Sequence, residues 1–422
     1  MTDITLTDTQ ADAVKRTQAW YLQCKRELAD GKPLTQQIWR IFGFAGVGKS
    51  TITKYALAEM GDIKMVAGTF TGKAALVLTR KGTPTSTIHS LCYAVQEHSR
   101  EAIDKAKEEL AAMRAAGPGE MQELLWRAVI HSKEESIKDM HSPKFALNPD
   151  SVVRDADLVV IDEVSMVNEI MAADLMSFGR PILVLGDPGQ LPPIKGEGAF
   201  TQAEPDIMLT EIHRQAKDSP IIRLATMARE GVPIPYGVYS DNVVKMRRSE
   251  LSATEMLMAD QVLTGMNSTR IGLNNAMRRA SGHTSILPDG ASEKIICLKN
   301  RNDVGLVNGS FLTLHNIDED GEYGFRADIF TDDDQEIGRH TIYKGHFLDH
   351  VEMDKERLQR DHWHLRGLVQ ATYGYSCTVH KAQGSGWPNV ILYDDGFGRG
   401  DDRKKWLYTA LTRSEEGLCI LA

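Results

Sequence analysis

Eight residues narrow the possibilities for this chain more than any others. Gly43-Phe44-Ala45-Gly46-Val47-Gly48-Lys49-Ser50 fits GxxxxGK[ST] at every fixed position. The run follows the apolar segment Ile38 to Phe42, which reads as a buried strand, and precedes a helical segment beginning near Ser50. That strand–loop–helix context is what the motif needs to work. The glycines let backbone N–H groups wrap phosphates, and the helix N-terminus adds partial positive charge. Lys49 is expected to contact the β/γ-phosphates and the Ser50 hydroxyl to ligate Mg²⁺. Gly43, Gly46, Val47, Gly48 and Thr51 complete the expected ATP-binding loop. Such a site also needs an acidic group at the end of a neighbouring strand. Leu158-Val159-Val160-Ile161-Asp162-Glu163 supplies it. Asp162 is the expected Mg²⁺ ligand, directly or through water, and Glu163 the base that orients and deprotonates the attacking water.

Short apolar runs alternate with helical stretches on both sides of these motifs. Ile38 to Phe42, Lys64 to Ala67, Leu158 to Ile161 and Ile182 to Leu185 form one set. Val243-Val244, Gln261 to Thr264, Tyr375 to Thr378, Val390 to Tyr393 and Leu418 to Leu421 form another. Each set has the character of buried parallel strands joined by crossover helices. Two stretches break the alternation. Residues 93–150 are charged and helix-prone, with Glu101–Lys105 and Glu134–Lys138 at i,i+4 spacing and a Gly117-Pro118-Gly119 break. Residues 286–371 contain strand-like Lys294 to Leu298 and Ser310 to Leu314 between Gly- and Asn-rich turns, and carry a charged Asp332-Asp333-Asp334 turn.

Composition limits the function classes. The chain has 422 residues, enough for two to four domains, and 25% of them are charged. Its net charge of -9 counts mildly against a polyanionic partner, although the local potential of a groove matters more than the sum. The five cysteines Cys24, Cys92, Cys297, Cys377 and Cys419 have no CxxC spacing, so neither a zinc site nor a disulfide framework is expected. No apolar run approaches the roughly 20 residues of a membrane span, and Met1 to Thr5 lacks the marks of a signal peptide. A soluble protein of a reducing cytoplasm, without a membrane partner, is the expectation.

Beyond the phosphate motifs, the chain resembles the superfamily 1 helicases, in the branch of RecD-like and Dda-like DNA helicases. The motifs run in the expected order from Leu6 to Ser414. Leu6-Thr7-Asp8-Thr9-Gln10 resembles an LTxxQ element in which Gln10 reads the adenine; Thr7-x-x-Gln10 is also a helix capping box, and both readings can hold together. Thr71-Gly72-Lys73-Ala74-Ala75 resembles motif Ia, a loop that grips the strand backbone, and His89 in Thr87-Ile88-His89-Ser90 resembles a strand contact of motif Ib. Gly186 to Pro193 matches motif III, which makes Gln190 the γ-phosphate sensor. Leu209 to Gln215 resembles motif IV, from which Arg214 would reach the γ-phosphate. Asn267, with Arg270 behind it, resembles a strand-end contact of the second motor domain, or a turn former. Thr378-Val379-His380-Lys381-Ala382-Gln383-Gly384-Ser385 resembles motif V. It brings Thr378, His380 and Lys381 to the nucleic acid and Gly384 to the nucleotide. Leu407 to Ser414 resembles motif VI, with Arg413 as the arginine finger. One departure stands out: where the family commonly carries an acidic residue after this motif V run, the chain has Gly386, then Trp387-Pro388.

The resemblance implies an α/β chain of two RecA-like P-loop domains with ATP and Mg²⁺ between them. The first takes residues 1–92 and 151–205, the second 206–285 and 372–422. Residues 93–150 form a mainly helical insertion expected to separate strands, with Tyr93, Trp126 and Phe145 as aromatic candidates. Trp126 beside Leu124 and Leu125 also suits plain helix packing. Residues 286–371 form an SH3-like β insertion. The implied activity is a 5′→3′ helicase on single-stranded DNA and on forked or 5′-tailed duplexes. An RNA helicase of the same superfamily and an ATP-regulated scaffold are the alternatives.

Overall fold

The computed structural model describes residues 6–96, 100–119, 123–140, 144–193, 198–211, 218–289, 292–319, 321–348, 364–365 and 367–422. Arg214 and the Ser50 side chain lie outside the described residues and atoms.

The first half builds a six-stranded parallel sheet. Its spatial order is Thr85–Thr87, Met65–Thr69, Leu158–Asp162, Ile182–Gly186, Ile38–Gly43 and Ile207–Leu209. Successive residues point to opposite faces, and both faces are covered, so the strands read as continuous apolar runs. Trp39, Ile41, Leu158, Val160, Leu183 and Leu185 pack with Trp20, Tyr21 and Cys24 of the helix Asp8–Ala29. Ile38, Phe42, Val159, Ile161, Ile182 and Val184 pack on the other side with Ile88, Leu91, Met171 and Leu175. The register sets Thr69 beside Asp162 and Phe42 beside Gly186, which gathers the loops after these strands at one edge. Open parallel sheets bind ligands at that carboxyl edge.

The second half builds a six-stranded sheet ordered Ser376–Thr378, Gln261–Thr264, Trp387–Tyr393, Ser414–Leu421, Val243–Met246 and Gly237–Ser240. All its pairs are parallel except the last. One face holds Leu263, Val390, Leu392, Leu418 and Ile420 against the helices Pro220–Glu230 and Gly400–Leu411. The opposite face shares its core with a five-stranded antiparallel sheet. That sheet is ordered Glu336–Tyr343, Gly324–Thr331, Phe311–Glu319, Ser292–Cys297 and Ala371–Tyr373. Val262 and Ile391 of the parallel sheet lie in one apolar cluster with Ile295, Leu312, Leu314, Phe325 and Ile342 of the β module. The module is fused to the second sheet by a common core.

Two boundaries differ from expectation. Residues 207–209 join the first sheet, because Ile207–Leu209 pairs in parallel with Ile41–Gly43 and buries Ile207 and Leu209 there, so the first unit continues past residue 205. The β module continues past residue 371, because Ala371–Tyr373 pairs with Ile295–Cys297. Within 93–150, Tyr93–Gln96 and Lys144–Leu147 form an antiparallel stalk that carries the helices Arg100–Ala116 and Glu123–Met140. Charges join these helices to each other: Lys133 Nζ donates to Glu109 Oε2 at 2.9 Å, and Arg114 pairs with Glu134.

Candidate nucleotide and strand site

The loop after the strand Ile38–Gly43 is a phosphate cradle. Gly46 and Gly48 take φ of +80° and +83°, the left-handed region that glycine enters without a Cβ penalty. Gly43 is constrained by space instead, since a Cβ there would lie 2.6 Å from Val47 Cγ2. Val47 lies in the loop just before the helix Lys49–Ala58, and Thr51 lies in its first turn. Lys49 Nζ donates to the Gly43 and Phe44 carbonyls at 2.5 and 3.2 Å and lies 4.0 Å from Asp187.

Asp162 and Asp187 both feel the charge of this lysine, and Glu163 acts on both carboxylates. Burial, and then the charge of Glu163, push the Asp162 carboxyl up to about 6. The Glu163 N–H donates to Asp162 Oδ1 at 2.7 Å. Glu163 itself holds φ +55°, a strained setting for a non-glycine residue of the kind that clusters at functional sites. Burial also raises Asp187, against the pull of Lys49 and of its hydrogen bonds from Tyr408 and Gly189. Carboxylates raised by burial beside a lysine and a phosphate cradle suit a divalent cation carried on a phosphate chain.

The second unit reaches directly into this cradle. Tyr408 Oη donates to Asp187 Oδ2 at 2.7 Å and accepts the Ala45 N–H at 2.8 Å. The Arg229 guanidinium lies over the Phe44 ring at 3.5 Å. Phe44, Ala45, Arg229 and Tyr408 line, with Thr210, Ile222, Ala225 and Thr226, a cavity of about 150 Å³ beside the loop. The motif III turn is tied across as well: the Leu191 N–H donates to Thr409 Oγ1 at 2.9 Å, and Gln383 Nε2 to the Leu191 carbonyl at 3.0 Å. Gln190 is buried in this seam, and its Oε1 has no hydrogen-bond partner among the described residues. Arg413 is held by its own half of the chain. It is 6% exposed, and its guanidinium donates to the Thr409 and Ser385 carbonyls and the Thr412 hydroxyl. Sequence reasoning passed over Tyr408, Thr409, Arg229 and Asp187 because their partners lie in the other half of the chain.

Gln10 shows two contacts together. It closes the capping box with Thr7, and its Nε2 lies 3.4 Å from the Val47 carbonyl of the cradle.

The residues assigned to the strand lie along the adjoining edges of both sheets. Thr71 caps the helix Gly72–Arg80. Lys73 is 7% exposed: its Nζ donates to Asp332 Oδ2 at 3.2 Å and sits 4.5 and 4.8 Å from the Phe311 and Trp387 ring centres. Burial therefore lowers its pKa. The structure places this lysine in a closed seam. His89 packs among Phe70, Tyr93 and the exposed Phe145, and burial lowers its pKa too. Thr378 caps the short helix Val379–Ala382; His380 packs on Phe397 and Lys381 Nζ donates to Asn308 Oδ1 at 2.7 Å. Gly384 takes φ +74°, and a Cβ there would lie 2.8 Å from Ala74 Cβ, so motifs Ia and V touch. Asn267 opens the helix Asn267–Ala280 and accepts from Arg270 Nε at 3.2 Å. At the Gly386 departure, a Cβ would lie 2.6 Å from the Glu415 carboxylate.

Fold and site together define a P-loop protein whose phosphate cradle lies at the seam of two parallel-sheet units. A family model described as an AAA domain matches residues 33–242, and a UvrD-like helicase C-terminal domain matches residues 373–421. The chain is 27% identical over 283 residues to the ATP-dependent RecD2 DNA helicase of Deinococcus radiodurans, covering 62% of this chain and 35% of that protein. It thus spans about a third of the length of that relative. Solved Pif1 helicases share its fold. The Candida albicans protein aligns with a TM-score of 0.51 and 17% identity over 99% of this chain and 94% of that one. A Bacteroides Pif1 bound to single-stranded DNA gives 0.51 and 15%, over 100% and 93%. The two family models and the RecD2 relative make the chain similar to superfamily 1 helicases of the RecD-like group, and the Pif1 structures show the fold it shares with them. Among the described residues no helix is long and apolar enough to cross a membrane.

Proposed function

We propose that this chain is an ATP-driven motor that moves 5′→3′ along single-stranded DNA and opens 5′-tailed or forked duplexes. One observation carries the reading: the phosphate cradle of the first unit is completed by Tyr408 of the second, so an event at the loop must be felt by both units. The relatives support the choice of DNA, since one is named a DNA helicase and another is described with single-stranded DNA.

In this reading the two parallel-sheet units are RecA-like motor domains, the helical hairpin stands at the fork, and the β module is SH3-like. Gln10 faces the adenine, while Lys49 and the N–H groups of Gly46 to Thr51 hold the phosphates. Ser50 and Asp162 hold Mg²⁺, which when bound neutralises charge on the β- and γ-phosphates. Glu163 takes the proton of the attacking water. Gln190 senses the γ-phosphate, and Arg214 and Arg413 supply positive charge from the second unit, so Arg413 must leave its carbonyl cage on closure. Thr71, Gly72, Lys73 and His89 on one unit and Asn267, Thr378, His380 and Lys381 on the other grip the strand in alternation, which gives directional stepping. Unwinding assays on duplexes with a single tail test the polarity. Opening of 5′-tailed substrates is expected, and opening of 3′-tailed substrates alone would overturn the direction.

A further inference from the structure

The acidic turn at residues 332–334 has no part in the nucleotide chemistry, yet it meets the segment assigned to strand grip. The turn lies between the strands Gly324–Thr331 and Glu336–Tyr343 of the β module. It is firmly built: Thr331 Oγ1 donates to Asp333 Oδ1 at 2.5 Å and accepts the Gln335 N–H at 3.1 Å. The Thr331 hydroxyl, and then Arg80, hold the Asp333 carboxyl below the usual carboxylate range, so it is charged at neutral pH. Two cations of one helix receive this turn. Lys73 Nζ meets Asp332 at 3.2 Å and Arg80 Nη2 meets Asp333 at 3.1 Å. Seven residues apart, these side chains leave the same face of the helix Gly72–Arg80. Close packing backs the contact, since a Cβ on Gly72 would lie 2.8 Å from Val307 of the module.

The company of Lys73 is telling. A cation bordered by two aromatic rings is the combination that single-strand grooves use, charge for the backbone and rings for the bases. Here the rings are Phe311 and Trp387, set edge to face at 5.3 Å, and the anion in place is a carboxylate of the chain itself. The Trp387 backbone N–H also donates to the Arg413 carbonyl at 2.9 Å, which links this seam to the motif VI arginine.

We infer that the Asp332-Asp333 turn is an intramolecular stand-in for nucleic-acid phosphate. It closes a clasp on Lys73 and Arg80 that an incoming strand must displace before the motor engages. The inference rests on the strand-motor reading and adds a gate to it. The clasp joins the first unit to the module fused to the second, so it also resists relative motion of the two units. Opening it exposes Lys73, Phe311 and Trp387 together, and closing it returns the resting state.

The test compares the intact chain with Asp332→Asn, Asp333→Asn and Asp334→Asn. Fluorescence anisotropy with labelled oligo-dT and ATPase rates without polymer are the two readouts. Asp334→Asn changes the same charge one residue away at φ +58°, where Asn fits readily, and leaves both clasp pairs in place. Asp332→Asn and Asp333→Asn are expected to tighten oligo-dT binding about fivefold or more and to raise the polymer-free ATPase, because the competing anion is weakened. Asp334→Asn is expected to do neither. Equal tightening by all three variants would reduce the effect to net charge and overturn the clasp. Unchanged or weaker binding by Asp332→Asn and Asp333→Asn, in an intact chain that does respond to oligo-dT, would overturn it as well. An intact chain that neither binds nor responds to oligo-dT would instead sink the motor reading on which the gate depends.

Discussion

Two lysines of one sheet make an instructive pair. Lys49 follows the strand Ile38–Gly43 and opens the helix Lys49–Ala58; Lys73 follows the strand Met65–Thr69 and is the second residue of the helix Gly72–Arg80. The local arrangement of strand, turn and helix is the same. Lys49 leans on carbonyls of its own loop, and its side chain stays 19% exposed. Lys73 is enclosed by two rings and a carboxylate from the far half of the chain. The difference teaches that a lysine at a helix start acquires its role from what the fold sets opposite it. Opposite Lys49 stand Asp187 and Tyr408, which tie the loop to the second unit. Opposite Lys73 stands an acidic turn.

The largest effect that could break this comparison belongs to Arg413. An arginine finger, the role proposed for Arg413, contributes about 10³–10⁵ to phosphoryl transfer. Arg413→Ala is expected to remove that much of the strand-stimulated ATPase while strand affinity stays close to that of the unaltered chain. In the structure Arg413 is caged by the Thr409 and Ser385 carbonyls. Near-normal turnover with a lowered melting temperature would make it a strut of the second unit. Collapse of strand affinity with turnover intact at saturating DNA would move it to the groove.

Glu163 sharpens the nucleotide side. General-base catalysis is worth about 10²–10⁴, so Glu163→Gln is expected to lose that factor in turnover and keep ATP binding, whereas Lys49→Ala weakens both. Equilibrium binding of a fluorescent ATP analogue beside steady-state turnover separates the two. Turnover of Glu163→Gln close to the unaltered rate would remove it as the base.

The smallest effect concerns stability. The Asp162 carboxyl is raised to about 6, above its ordinary value near 3.9, so the fold favours the neutral form. In metal-free protein its stabilising contribution is therefore full below about pH 4 and is lost as pH rises through about 6. Asp162→Asn mimics the neutral group, and at pH 7 it is expected to stabilise the metal-free chain by about 1–3 kcal/mol. Urea unfolding at pH 5 and pH 7 measures this, and a less stable Asn variant at pH 7 would contradict the account.

Much of the cradle could be read in the sequence because its parts are contiguous. Gly43 to Ser50 and Leu158 to Glu163 each sit at the end of one strand, where backbone geometry alone fixes their placement. The Thr7–Gln10 capping box is equally local. The contacts that join the units were not legible. Tyr408 meets Ala45 across 363 residues, and Lys73 meets Asp332 across 259. A tyrosine in a helix and an acidic turn carry no mark of their partners until the chain closes. The edge strand Ile207–Leu209 was missed for a different reason: three residues are too few to show a period.

The central claim is that ATP turnover in this chain is coupled to a DNA strand. It is tested most directly by ATPase rates measured side by side with single-stranded DNA, with single-stranded RNA and with no polymer. Strong stimulation by DNA, weak stimulation by RNA and a low polymer-free rate are the expected result. A rate indifferent to all three would contradict the motor reading, and stimulation by RNA alone would make the chain an RNA motor.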